Sequence, residues 1–286
     1  LFSTLLIIFL YNLAGIRLFD SFNLSFTAVS SGGFIPSNNL LNIINKDVQI
    51  LVLSISLLFP IFNFFLLHDI VTKKFSYRRS QEDIHLAAII FFITLFIYFF
   101  VIPEEGISNV FFAIISSLST SGISAYSSDT DLSLFFILLT IVGGSLISTS
   151  SGFKYIRLYI LFKISYQEIY RLVKPINIID KNLFNSESKI EDQDVKIAFL
   201  VFISFIISIF LLSSILTLDN LSFESSFKLS IITLTNTVNS SLYGLEDLSF
   251  FDLNFITKIS LVLFMIIGKI ELIAFIYLIK RFIFRE

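Results

Sequence analysis

Three short stretches carry residues able to do ion chemistry: Thr27-Ala28-Val29-Ser30-Ser31-Gly32-Gly33-Phe34, Ser116-Ser117-Leu118-Ser119-Thr120-Ser121-Gly122-Ile123, and Thr235-Asn236-Thr237-Val238-Asn239-Ser240-Ser241. What they offer is oxygen, from hydroxyl groups and from backbone carbonyls that neighbouring glycines allow to turn. A monovalent cation stripped of its water needs several such oxygens in place of the hydration shell. The candidate ligands are Ser31, Gly32 and Gly33 in the first stretch, Thr120, Ser121 and Gly122 in the second, and Thr237, Val238 and Asn239 in the third. Each stretch follows a short apolar run opened by polar residues and precedes a long apolar run, which makes an internal repeat. A short helix ahead of each would point its partly negative C-terminal end at the cation.

The elements that position these stretches are apolar helices. The chain has 286 residues, of which 55% are hydrophobic and 15% charged, with a mean hydropathy of +0.88. Such a composition, with several runs long enough to cross a bilayer, predicts an all-α integral membrane protein. Cysteine is absent, which excludes disulfides, thiolate metal sites and a cysteine nucleophile. No nucleotide-binding loop occurs and the net charge of −2 gives no reason to expect nucleic acid.

Taken in order, an apolar run to Ile16 is short of a full span and is read as the truncated remainder of a helix. A short helix over 22–30, the Gly32-Gly33 stop, a Pro- and Asn-rich loop and a span over 48–71 follow. The second unit repeats this with a span over 84–102, a turn at Pro103-Glu104-Glu105-Gly106, a short helix over 110–118, the return 119–131 and a long segment 132–163. That last segment is interrupted at Gly143-Gly144-Ser145 and again at Ser148-Thr149-Ser150-Ser151-Gly152, which is tolerated at membrane depth only where the loosened backbone faces protein or a water-filled cavity. A polar linker follows, whose residues 166–173 suggest an interfacial amphipathic helix. The third unit has a span over 195–216, a short helix over 225–235, a return over 236–244 and a last span over 255–283.

Charge sets the orientation. The unit ends, residues 72–82, 154–196 and 280–286, hold fifteen of the twenty Lys and Arg residues, which places them in the cytoplasm. The returns therefore enter from the outer face, where Glu104, Glu105, Asp129 and Asp131 make the second one attractive to cations. His68 and His85 sit near the cytoplasmic boundary as interfacial residues.

At this point the chain resembles the membrane subunit of the Trk/Ktr/HKT superfamily of potassium transporters, of the TrkH type, over almost its whole length. Ser31-Gly32-Gly33-Phe34 is similar to the family's second filter, Thr120-Ser121-Gly122-Ile123 to the third, and Asn236-Thr237-Val238-Asn239 to the fourth, with Asn239 in the place of a glycine. Gly143-Gly144-Ser145 through Ser151-Gly152-Phe153-Lys154 is similar to the family's intramembrane gate. Gly268-Lys269-Ile270-Glu271 is similar to a basic motif on the last helix, which makes Lys269 a partner of that gate. The resemblance implies span, pore helix, filter loop and span units around a central pore: a second unit over 1–80, a third over 81–165, a linker over 166–194 and a fourth over 195–286, the first unit being absent. It further implies potassium ions as substrate at the filter residues, no cofactor, a homodimer, a cytosolic nucleotide-binding ring subunit as regulator, and a multi-pass place in the cell's inner (cytoplasmic) membrane. The competing reading is a sodium- or proton-coupled secondary transporter with a midplane site in the broken helix 132–163. A serine hydrolase is disfavoured by the missing Gly-x-Ser-x-Gly elbow and by the peripheral place of both histidines.

Overall fold

A computed structural model of the chain describes residues 2–37, 39–64, 66, 80–125, 132–173, 182–184, 190–219, 221–245, 248, 250–251 and 253–270. His68, Lys73, Lys74, Arg78, Arg79, Asp129, Asp131 and Glu271 lie outside these residues. The described elements are helices: α1 Phe2–Leu13, α2 Leu18–Ser30, α3 Asp47–Leu57, α4 Gln81–Phe100, α5 Ile107–Leu118, α6 Ser133–Val142, α7 Tyr155–Val173, α8 Asp192–Thr217, α9 Phe223–Leu234 and α10 Phe255–Ile270. In chain order nine of them fall into three groups of three, α1-α2-α3, α4-α5-α6 and α8-α9-α10. Within each group the middle helix packs on its outer helices, and the groups join through α3 against α5 and α6 against α9.

Helices α4, of 20 residues, and α8, of 26, are long and apolar enough to cross a membrane. Their outward faces are lined with aromatic and aliphatic side chains, as at Phe92, Phe96, Phe99 and Phe100 of α4, which suits hydrocarbon and not water. The middle helices α5 and α9 are mostly buried, whereas α2 keeps Phe19, Phe22 and Phe26 exposed. In α5 the residues from Phe112 to Leu118 are all inside, and Phe112 and Ile114 are fully so.

Two helices break where an unbroken span would be costly. After α6 the chain leaves the helix at Gly143, whose φ of 65° and ψ of −164° no helix contains, and resumes only at Tyr155. The two interruptions read from the sequence are thus one irregular stretch, 143–154. The expected span over 48–71 is also broken: α3 stops at Leu57, and turns carry the chain through Pro60. Proline lacks an N–H and clashes with the preceding turn, so it ends the helix there. These two breaks face each other. Ser145 N–H donates to the Ile61 carbonyl at 2.8 Å, Ser150 N–H to the Pro60 carbonyl at 3.1 Å, and Phe64 N–H to the Ile147 carbonyl at 3.0 Å.

The proposed separate helix over 166–173 is the last part of α7, which runs unbroken from Tyr155. Between α7 and α8 the linker folds back. Phe184 lies 4.2 Å between ring centroids from Tyr159 and 4.8 Å from His85, while the Lys163 ammonium donates to the Asn182 carbonyl. Phe184 is buried with φ of 51°, a left-handed conformation that costs a bulky residue about 1–2 kcal/mol. The stacking on α4 and α7 offsets that cost. Phe184→Ala should therefore lower the thermal midpoint of the purified, detergent-solubilised protein, with a loss on the order of 3 kcal/mol, and Phe184→Leu should lose less. An unchanged midpoint in Phe184→Ala would mean that this ring does not hold the linker down.

Candidate functional site

The three middle helices end in the same way. Ser31, Thr120 and Asn236 each take a left-handed conformation, with φ of 52°, 57° and 53°, which stops the helix and turns the chain into an extended return. The next N–H then reaches back into the last turn: Gly32 to the Thr27 carbonyl at 3.1 Å, Ser121 to Ser116 at 3.1 Å, and Thr237 to Ile232 at 2.9 Å. This common signature puts Ser31, Thr120 and Asn236 in one layer, Gly32, Ser121 and Thr237 in the next, and Gly33, Gly122 and Val238 in the third.

That register corrects one expectation. Asn239 does not take the place of a glycine; it stands one residue further out, level with Phe34 and Ile123, and Val238 occupies the glycine layer. Gly33 and Gly122 have φ of 73° and 72°, whereas Val238 is outside the left-handed region. The signal was the left-handed residue at the helix end, which the sequence marks only by Ser, Thr or Asn.

All nine candidate residues of the returns come together. A methyl group placed on Gly33 would collide with the Ser121 carbonyl, and one placed on Gly122 with the Val238 carbonyl. Only glycine permits this approach of backbone to backbone. Above the returns lies a cavity of about 550 Å³, lined by Gly33, Gly122, Val238 and Asn239 together with residues 39–41 of the first outer loop. A second cavity of about 560 Å³ opens sideways between Ser31-Gly32 and Asn236-Thr237, with Met265 and Lys269 of α10 on its wall.

The first two returns are pinned from behind. Thr27 Oγ1 donates to the Phe34 carbonyl, and Ser116 Oγ donates to the Ile123 carbonyl at 2.6 Å. At the matching place in α9 stands Ile232, which has no donor to give. Asn239 is held instead by its own amide, which donates to the Leu245 carbonyl at 2.9 Å. Asn236 also reaches α10, its Nδ2 donating to the Met265 carbonyl at 2.9 Å.

The irregular stretch after α6 lies against the helix ends that open the returns. Ser31 Oγ donates to the Thr149 carbonyl at 3.0 Å, Thr149 Oγ1 donates to the Val29 carbonyl at 3.0 Å, and Ser151 N–H donates to Thr120 Oγ1 at 3.0 Å. Of the residues singled out here, Gly143, Gly144 and Gly152 are the close-packing points. A methyl on Gly143 would strike the Ser151 carbonyl, one on Gly144 the Ile61 carbonyl, and one on Gly152 would lie 2.7 Å from the Thr140 carbonyl. Ser145 supplies the N–H bonded to Ile61, and Ser151 the N–H bonded to Thr120.

Two lysines hold this loop. Lys269 Nζ donates to the Thr149 carbonyl at 3.1 Å, which joins α10 to the irregular stretch. Lys154, which the sequence offers only as the last residue of the gate-like motif, is 4% exposed and donates to the Ser150 carbonyl at 2.6 Å and to the carbonyl and hydroxyl of Ser148 at 3.1 Å each. Across the loop the N-terminus of α4 brings Glu82, which accepts from Leu146 N–H at 2.9 Å, and Asp83, which accepts from Asn63 N–H at 3.0 Å. A buried ammonium and two carboxylates thus replace the missing helical hydrogen bonds of both breaks. The signal available for Lys154 was a cation directly after an apolar, glycine-rich run.

No family model matches the chain. It is similar along 96% of its length to the Trk system potassium uptake protein TrkG of Escherichia coli, at 27% identity. It is similar along 99% to an uncharacterised cation transporter, MJ1485, of Methanocaldococcus jannaschii, at 26% identity. The chain spans 58% of the length of each of these relatives. Among solved structures, the potassium transporter TrkH from Vibrio parahaemolyticus superposes with a TM-score of 0.81 over 96% of this chain and 61% of that one, at 21% identity, which shows a shared fold.

Because the chain has no cysteine, a single introduced thiol reports on the loop. Ser148→Cys should react slowly with a charged, membrane-impermeant maleimide. Adding Lys154→Met should speed that reaction by about tenfold, since removing one partner of a buried charge network costs on the order of 1.4 kcal/mol or more. Equal labelling rates with and without Lys154 would show that this ammonium does not hold the loop.

Proposed function

We propose that the chain forms the conduction path of a Trk-type potassium-uptake protein, with the three returns as strands of a carbonyl filter and the irregular stretch 143–152 as the gate beneath them. The observation that carries this reading is the convergence of three equivalent helix-capped returns on one loop, in a chain similar to Trk proteins along nearly its whole length. Carbonyls of Ser31, Gly32 and Gly33, of Thr120, Ser121 and Gly122, and of Thr237 and Val238 take over the ligand role of water for a dehydrated potassium ion. Asn239 serves at the outer rim. The C-terminal ends of α2, α5 and α9 point their partial negative charge at the same place.

The units follow the ranges 1–80, 81–165 and 195–286, joined by the linker 166–194. A further strand of the same kind seats in the lateral cavity between Ser31 and Asn236 and completes the ring. The protein lies multi-pass in the cytoplasmic membrane, dimerises, and is controlled by a cytosolic nucleotide-binding ring subunit acting on the cytoplasmic helix ends. Opening requires Thr149 to leave Ser31 and Lys269, and Ser151 to leave Thr120. Lys269 adds a positive charge beside that route, which opposes a permeating cation while the loop is closed. A midplane substrate site in the broken helix is not favoured, because the backbone groups of the break are already bonded to residues 60–64 and to Lys154.

The test is uptake of rubidium, as a tracer for potassium, into vesicles holding the full-length protein. Uptake should exceed that of empty vesicles, Lys269→Ala should raise it severalfold, and Gly122→Val should abolish it, since the new side chain meets the Val238 carbonyl. Uptake equal to that of empty vesicles under all conditions would overturn the reading.

A further inference from the structure

We infer that Val238 is an apolar constriction in the conduction path, one that sets how fast ions cross the glycine layer. The inference rests on the filter reading above and deepens it. Three observations meet at this residue.

The first is register. In the layer where the first two returns have Gly33 and Gly122, the third has a β-branched side chain. The second is position. A methyl group placed on Gly33 would lie 2.7 Å from Val238 Cγ2, so the valine fills the volume that glycine leaves open on the facing return. The same residue, with Phe34 and Asn239, lines both the outer cavity and the lateral one. The third is backbone direction. Val238 cannot adopt the left-handed conformation of Gly33 and Gly122 without a Cβ clash, and its carbonyl is directed against Gly122. The third return therefore brings a hydrocarbon branch to a layer where the other two bring only backbone.

An ion crossing that layer gives up water and gains no oxygen from the Val238 side chain, and narrow apolar rings impede ions by excluding water. Valine is also stiff at χ1, so the branch does not swing aside as a longer, unbranched side chain would. Thr237 below it and Asn239 above it keep polar oxygens on either side, which makes Val238 a single barrier between two wettable layers. Because Asn239 is held by the Leu245 carbonyl and Asn236 by the Met265 carbonyl, the return is fixed at both ends and cannot easily retreat.

The experiment is initial-rate rubidium uptake into vesicles by the full-length protein carrying Val238→Ala, Val238→Gly or Val238→Ile, at matched protein content and thermal midpoint. Rates should rise in the order Ile, Val, Ala, Gly. Ala should exceed the parent by on the order of tenfold, as a factor of roughly four per methyl group follows from the transfer free energy of one methyl. Ala equal to or slower than Val, with both proteins folded, overturns the constriction. Should Gly loosen the return and fail to fold, Ala and Ile still decide the order. If instead the parent and all variants match empty vesicles, the filter reading itself fails, a result distinct from a parent that conducts at the same rate as its Ala variant.

Discussion

Every backbone N–H and C=O removed from water must find a partner, and in an apolar surround an unpaired one costs several kcal/mol. Continuous helices meet that demand within themselves, which is why α4 and α8 can be almost featureless. The breaks after α3 and α6 cannot. They survive because they are complementary: the carbonyls that Pro60 and Ile61 would have used in a helix accept from Ser150 and Ser145, and the N–H of Phe64 is taken by Ile147. Lys154, Glu82 and Asp83 take up further backbone groups at Ser150, Leu146 and Asn63. The loop under the returns exists on these terms, and any movement of it exchanges one set of partners for another.

This exchange explains the composition of the stretch 143–154. Serine and threonine hydroxyls give and accept within a few ångströms of their own backbone, as Ser148 does with Ser145 and Ser150, so a displaced carbonyl has a local substitute. Glycine at 143, 144 and 152 allows backbone to lie against backbone. A loop built of larger apolar residues would pack as tightly and have no second arrangement to adopt.

Much of this was legible in the sequence, and the gaps have identifiable causes. The apolar runs gave helices within a few residues of their ends, because burial and hydropathy act over many residues at once. The broken α6 was visible in its glycines. The broken α3 was marked by Pro60 alone, within a run apolar enough to suggest a continuous span, and the groups that satisfy its freed carbonyls, Ser145 and Ser150, are far along the chain. The family resemblance puts Asn239 in the place of a glycine, whereas in the structure the register is set by Asn236, which ends the helix and tolerates the left-handed conformation through its short polar side chain. Lys154 is legible as the end of the gate-like motif, but its carbonyl partners lie in the folded loop and no spacing marks them.

The three returns are unequal in how they are held, and the inequality has a mechanical consequence. The first and second are tied to their own middle helices through Thr27 and Ser116, so they move as part of α2 and α5. The third has Ile232 where a hydroxyl would be, and its helix-end residue Asn236 is tied to α10 at Met265. Four residues on, one turn along the same helix, Lys269 holds Thr149 of the loop. Gly268 lets this turn of α10 sit directly on the Leu234 carbonyl, where any side chain would push it away. Through Asn236 and Lys269, α10 is thus joined both to the third return and to the loop, and the loop in turn bonds Ser31 and Thr120 at the start of the other two. The helix, the third return and the loop are therefore one connected unit, seated where Gly268 lets α10 pack on α9.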